Sequence, residues 1–301
     1  AEYKKRVSQV NLAYDGKIRA SEAVERQHRL DAIAAFENFL MKYPADPGYT
    51  PDAMFRLAEL YFEKANDDYL VADENFQTEM ALFEAGNAPA APSDPIRDYG
   101  PTMRTFRQLI TEWPDYRLLD GAFYLLAYCE LQMGNEQEGR ALFAELIVKR
   151  PDSQFVPEAW IRIGEFHFDY NELELAKQAY IEAMKFPNSK FFDKALYKIA
   201  WTYYRQDNFD QAIKEFKTLV EYSDDRARTG QEGSVLRAEA IQYIAISLAE
   251  ADWDLDGAKD ADFGLTRVKR HITGDKPYER EVLDQLGQYL FENTYYADSV
   301  E

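Results

Sequence analysis

A single cysteine, Cys129, among 301 residues excludes an intramolecular disulfide framework. Its setting, A-Y-C-E-L, reads as the inside of a helix, where a thiol is buried and inert. Histidine is nearly as scarce: His28, His167 and His271 stand far apart, and none has a His or Cys partner at i+4. There is no H-E-x-x-H, no Gly-rich phosphate loop and no G-x-S-x-G, so no catalytic residue is assigned. Carboxylate pairs such as Glu172 and Glu174 arise by chance in a chain with 54 acids. Basic residues number only 35, leaving a net charge of −19. That balance argues against nucleic acid, whose affinity comes largely from Lys and Arg neutralising phosphates, and against an anionic membrane surface. No apolar run approaches the roughly 18–20 residues of a membrane helix, so no direct membrane span is expected. The opening A-E-Y-K-K-R lacks a signal-type apolar stretch, leaving open whether a leader is removed or was never encoded.

What the chain does have is aromatic residues, 21 Tyr and 19 Phe, with 46% hydrophobic residues to build a core. Proline concentrates where amphipathic stretches end. Residues 32–44 (A-I-A-A-F-E-N-F-L-M-K-Y-P), 102–114 (T-M-R-T-F-R-Q-L-I-T-E-W-P) and 139–151 (G-R-A-L-F-A-E-L-I-V-K-R-P) share one pattern. Each has a small residue, an aromatic four later, a large apolar residue three after that, and Pro five further on. Residues 176–187 repeat it one position shorter, and 212–220 repeat it without the Pro. Steps of four and three lie on one helical face, and Pro ends the helix. A second family alternates with the first: M-F-R-L-A-E-L-Y, F-Y-L-L-A-Y-C-E, W-I-R-I-G-E-F-H, L-Y-K-I-A-W-T-Y, I-Q-Y-I-A-I-S-L and L-D-Q-L-G-Q-Y-L. Its small residue, Ala or Gly, admits a close helical neighbour.

Together these segments resemble the tetratricopeptide repeat. The copy at 157–188 shows it most fully, with Trp160, Ile163, Gly164, Ala176, Tyr180, Ala183 and Pro187. Aligning on Ala58, Ala127, Gly164, Ala200, Ala245 and Gly287 gives spacings of 69, 37, 36, 45 and 42, against the usual period of about 34. The resemblance implies an all-α fold, a right-handed superhelical solenoid of antiparallel helix pairs. One such array over 1–301 is expected, with six to seven pairs. An inserted segment lies near 64–100, made of a lengthened first helix and a loop at 86–95. Extra residues at 222–234 read as an exposed polar connection. After residue 260, Ala261, Leu265 and Val268 resume the second-helix pattern. Residues 283–296 form a first helix without its partner, so the natural chain is expected to continue past Glu301.

D-W-D-L-D-G-A-K-D-A-D (252–262) matches half of a calcium loop: Asp252, Asp254 and Asp256 at positions 1, 3 and 5, Gly257 at 6 and Asp260 at 9. The bidentate Glu of position 12 is replaced by Phe263, with Asp262 one residue earlier. Two readings stand: these residues ligate Ca²⁺, or they cap helices and solubilise a turn. No cofactor is required otherwise. Inner-face positions collect Phe55, Phe62, Tyr124, Tyr128, Tyr197, Trp201, Tyr204 and Tyr243, a surface for peptide or protein partners. Lys194, Lys198 and Arg205 lie beside it. The alternative is that these rings bridge adjacent helices as core.

The linking turns Pro151-Asp152-Ser153-Gln154-Phe155 and Pro187-Asn188-Ser189-Lys190-Phe191 are similar to those of bacterial cell-envelope tetratricopeptide-repeat proteins. Those include an outer-membrane assembly lipoprotein and a cell-division coordinator, and the segment W-T-Y-Y-R…Y-S-D-D-R…L-R-A-E-A-I-Q-Y-I-A is similar to gliding-motility repeat proteins. That resemblance implies a periplasmic or outer-membrane-associated scaffold, not an enzyme, binding other proteins of an envelope complex. A cytoplasmic adaptor or co-chaperone shares the fold. A solenoid hydrolase acting on cell wall would need an acidic cleft.

Overall fold

The computed structural model describes residues 2–293, and among them there are helices but no strand. In chain order these are α1 (Glu2–Lys42), α2 (Thr50–Glu84), α3 (Gly100–Glu112), α4 (Leu119–Gln132), α5 (Glu136–Lys149) and α6 (Val156–Asp169). They continue as α7 (Leu173–Met184), α8 (Phe192–Arg205), α9 (Phe209–Arg228), α10 (Arg237–Ala249), α11 (Leu265–His271) and α12 (Glu279–Glu292). The all-α expectation therefore holds. The chain divides into two compact units, Ala1–Glu145 and Leu146–Glu301.

The two sequence families become first and second helices of hairpins. Second-helix aromatics Phe106, Phe143, Tyr180 and Phe216 are almost wholly buried, as are the first-helix alanines Ala58, Ala127, Ala200 and Ala245. Gly164 shows why the slot must be small: a Cβ there would lie 2.3 Å from Cε1 of Tyr180. Within the first unit α2 packs against α1 and α3, and α3 against α4. Within the second, α6, α7, α8, α9 and α10 pack in succession and α10 meets α12.

Links are built from two devices. Hairpins α6/α7 and α8/α9 turn through Asn171 and Asp207, both left-handed (φ 60° and 55°), with Gly134 (φ 78°) doing the same between α4 and α5. The amide three residues past each of α6 and α8 then bonds back, Glu172 N–H to the His167 carbonyl and Asn208 N–H to that of Tyr203. Between hairpins a serine organises the turn: Ser153, Ser189 and Ser234 Oγ each accept the N–H two residues on, from Phe155, Phe191 and Leu236, at 3.1 Å.

Three expectations about the inserts meet the structure. The lengthened first helix is present, with α2 running 35 residues to Glu84 before a non-helical link over 85–99. The polar stretch 222–234 is half helix, because α9 continues to Arg228. Nothing breaks the helix before Gly230, and Asp225 pairs with Arg228 on its last turn. Ala261 does not begin a second helix: residues 261–264 form a turn, Gly264 adopts φ 85°, and α11 spans only seven residues. In the expected last helix, 283–296, residues up to Glu292 are helical as part of α12, and those from 294 lie outside the described residues.

Candidate functional site

The eight inner-face rings divide four and four between the two units. All eight are partly buried. In the first unit Phe62 stacks on Tyr99 (5.2 Å, 12°) and meets Tyr128 edge-on at 5.9 Å. Phe55 contacts Phe106 and Tyr116, and Tyr124 contacts Phe143. Tyr99, fully buried at the end of the 85–99 link, donates its hydroxyl to Asn66 Oδ1 at 2.7 Å. It was invisible in the pattern because it sits in the insert near 64–100, between the loop read at 86–95 and the next helix.

In the second unit one continuous cluster bridges α8, α9 and α10. Trp201 lies 4.5 Å from Tyr243 and 5.5 Å from Tyr204, and Tyr197 meets Trp201 at 6.2 Å. Tyr243 stacks on the buried Phe216 at 5.8 Å. The Tyr197 hydroxyl donates to Glu239 of α10 at 2.6 Å, and burial followed by that bond holds its proton above the usual phenol range. These rings bridge adjacent helices as core and keep part of their surface open.

The cations lean the other way, toward α6. Lys194 and Lys198 Nζ lie 3.0 and 3.3 Å from the Glu165 carboxylate, and Arg162 reaches it at 3.2 Å. Burial pushes the Glu165 carboxyl up, but Lys194, Lys198 and Arg162 outweigh it and hold it below the usual range. Arg205 donates to the Phe168 carbonyl and stacks over its ring at 4.8 Å. Glu165 was missed in the sequence, although its place next to Gly164 on the first-helix face was available as a signal.

The acidic segment is the link between α10 and α11, as its position in the repeat implied. Ligand atoms of Asp252, Asp254 and Asp260 come within 4.8 Å of one another, and Asp256 does not join them. Asp252 accepts the N–H groups of Asp256 and Gly257, and Asp256 accepts that of Ala258. Against the lowering effect of the Asp256 N–H, partial burial and the neighbouring carboxylates raise the Asp254 carboxyl above its usual range. Asp260 is also engaged by Arg267, which is fully buried, bonds Asp262 at 3.0 Å and the Glu250 carbonyl, and lies 4.1 Å over Trp253. The loop therefore carries an internal cation, a role that an acidic run followed by L-T-R-V-K-R-H could have suggested.

His167 Nδ1 meets Glu172 at 2.5 Å, and His271 Nε2 lies 3.1 Å from the Asp210 carboxylate. Burial holds the His271 imidazolium below its usual range. Cys129 is fully buried, and burial beside Glu130 raises its thiol to about 12, in keeping with an inert group. No helix among the described residues is long and apolar enough to cross a membrane.

Stacked helical hairpins with a small residue on each first helix define an α-helical repeat protein. Residues 122–153 (α4/α5) and 194–225 (α8/α9) match the family model described as the tetratricopeptide repeat, so the chain carries this repeat in both segments. Among solved structures, the C-terminal part of a repeat-containing protein of this kind from Cytophaga hutchinsonii is 13% identical. That likeness covers 92% of this chain and 87% of that one, with a TM-score of 0.51, and it shows the fold. A tetratricopeptide repeat protein from Parabacteroides merdae is 12% identical over 76% of this chain and 75% of that one, with a TM-score of 0.43. No curated protein sequence matches the chain.

Proposed function

We propose that the chain is a non-catalytic scaffold that holds peptide or protein partners on the first-helix face of its second unit. One observation carries this reading: the Tyr197–Trp201–Tyr204–Tyr243 cluster is anchored on buried Phe216 while each ring keeps exposed surface. Rings fixed by packing give up little conformational freedom when a partner covers them, which favours binding. Repeat proteins of this family bind other proteins, and the fold supports the same role here. The test compares partners recovered from a lysate by the wild-type chain and by a Tyr197→Ala/Trp201→Ala variant that still melts cooperatively. Loss of specific partners is expected, and identical recovery overturns the reading.

A periplasmic or outer-membrane-associated address is proposed with it, supported by the linking-turn resemblance. Fractionation of cells expressing the full-length gene tests that address against the cytoplasmic alternative.

A further inference from the structure

The exposed strip of α8 is bounded by two different chemistries. On its α6 side run Lys194, Lys198 and Arg205, at i, i+4 and i+11, which is one face of a helix. On its α10 side run Tyr197, Trp201 and Tyr204, the last two in contact with Tyr243 and Tyr197 with Trp201. In a chain of net charge −19, α8 holds three basic residues against one acidic. That acid, Asp193, is taken up by Ser234 at 2.7 Å. The carboxylate facing the lysines, Glu165, is shared among Lys194, Lys198 and Arg162. Arg162 is also paired with Glu158 at 3.2 Å, so two carboxylates face three cations and an excess of one positive charge remains. Each ammonium has three donors, and one directed at Glu165 leaves two. Both lysine side chains remain solvent-accessible, at 33% and 26%.

Resting on the scaffold reading above, we propose that the partner segment docked along α8 is acidic: several Asp or Glu residues alternating with apolar ones. Positions 194 to 205 span about 16 Å of helix, at 1.5 Å per residue. An extended chain covers that distance in about five residues, whose side chains alternate between two sides. One side presents carboxylates to Lys194, Lys198 and Arg205, and the other lays apolar groups on Trp201 and Tyr204. A single terminal carboxylate does not reach all three cations. Glu165 acts as an internal competitor, because it occupies donors that the partner's carboxylates take over.

The test uses fluorescence anisotropy on the whole chain with three labelled decapeptides: Glu alternating with Leu and Phe, and the same peptide with Gln or Lys in place of Glu. The Glu peptide is expected to bind at least about tenfold more tightly than the Gln peptide, and to weaken at high salt. Lys198→Gln, which leaves Lys194 and Arg162 on Glu165, weakens it about tenfold; Glu165→Gln strengthens it severalfold. Equal binding of the Glu and Gln peptides, tightest binding of the Lys peptide, no binding of the Glu peptide, or indifference to Lys198→Gln and Glu165→Gln overturns the proposal. If Trp201→Ala abolishes binding of the Gln peptide while charge has no effect, the scaffold reading stands and the acidic partner falls.

Discussion

The two aromatic clusters began as equivalent positions of one repeat pattern and ended with different neighbours. In the first unit the link that follows the long α2 brings Tyr99 back onto Phe62, so one face of that ring is covered by the chain itself. In the second unit no such link follows α8, and the rings from Tyr197 to Tyr204 stay beside a row of cations. Identical spacing thus produces a core contact in one place and a candidate binding strip in the other. What separates them is the connection, not the helix.

That contrast can be broken most forcefully at Tyr99. Tyr99→Ala removes a buried ring and should cost about 3–5 kcal/mol in chemical denaturation. Trp201→Ala, with part of its ring already in water, should cost roughly half that or less while removing partner binding. If the two cost the same, the distinction between covered and open rings is lost.

A second comparison lies within the second unit. Its inner links turn on the hydroxyls of Ser189 and Ser234, whereas the link before α12 turns on a carboxylate. Glu279 is 3% exposed and accepts the N–H groups of Thr273, Gly274 and Lys276, with Lys217 nearby at 3.8 Å. Burial raises its carboxyl, but those three bonds and Lys217 prevail, and it lies below the usual range. A depressed carboxyl stabilises the fold above the unfolded value of about 4.3, and the gain disappears as pH falls through the lower folded value. Glu279→Gln should therefore cost about 2–3 kcal/mol at neutral pH, and the gap should close in acid. A gap that persists at low pH would contradict this account.

Gly164→Ala comes next, at about 1–3 kcal/mol, because the buried Tyr180 ring must move. Smallest is the pair of hydroxyl deletions. Tyr99→Phe strands Asn66 beside a buried ring and should cost about 1 kcal/mol, whereas Tyr197→Phe releases the exposed Glu239 for a few tenths. Thermal melts read both.

Helix families, the small-residue slot and the buried second-helix aromatics were legible because each follows from a period of 3.6 and a close contact. Asp252, Asp254 and Asp260 were also readable, since their grouping depends on neighbours in the chain. Tyr99 and the lysine partners of Glu165 were not, for Tyr99 meets Phe62 at a separation of 37 residues and Glu165 meets Lys194 at 29. Helix ends failed where no breaker stood, as after Tyr222, and where a turn replaced periodic residues, as at Ala261.

The Glu279 clasp sets an order of opening. Hydroxyls do not titrate in the acid range, so the turns at Ser189 and Ser234 keep their bonds when the last one loses its charge. Amide hydrogens of α12 should then exchange with solvent before those of α8 and α10, and acid below the usual carboxylate range would loosen α12 while the aromatic strip stays folded.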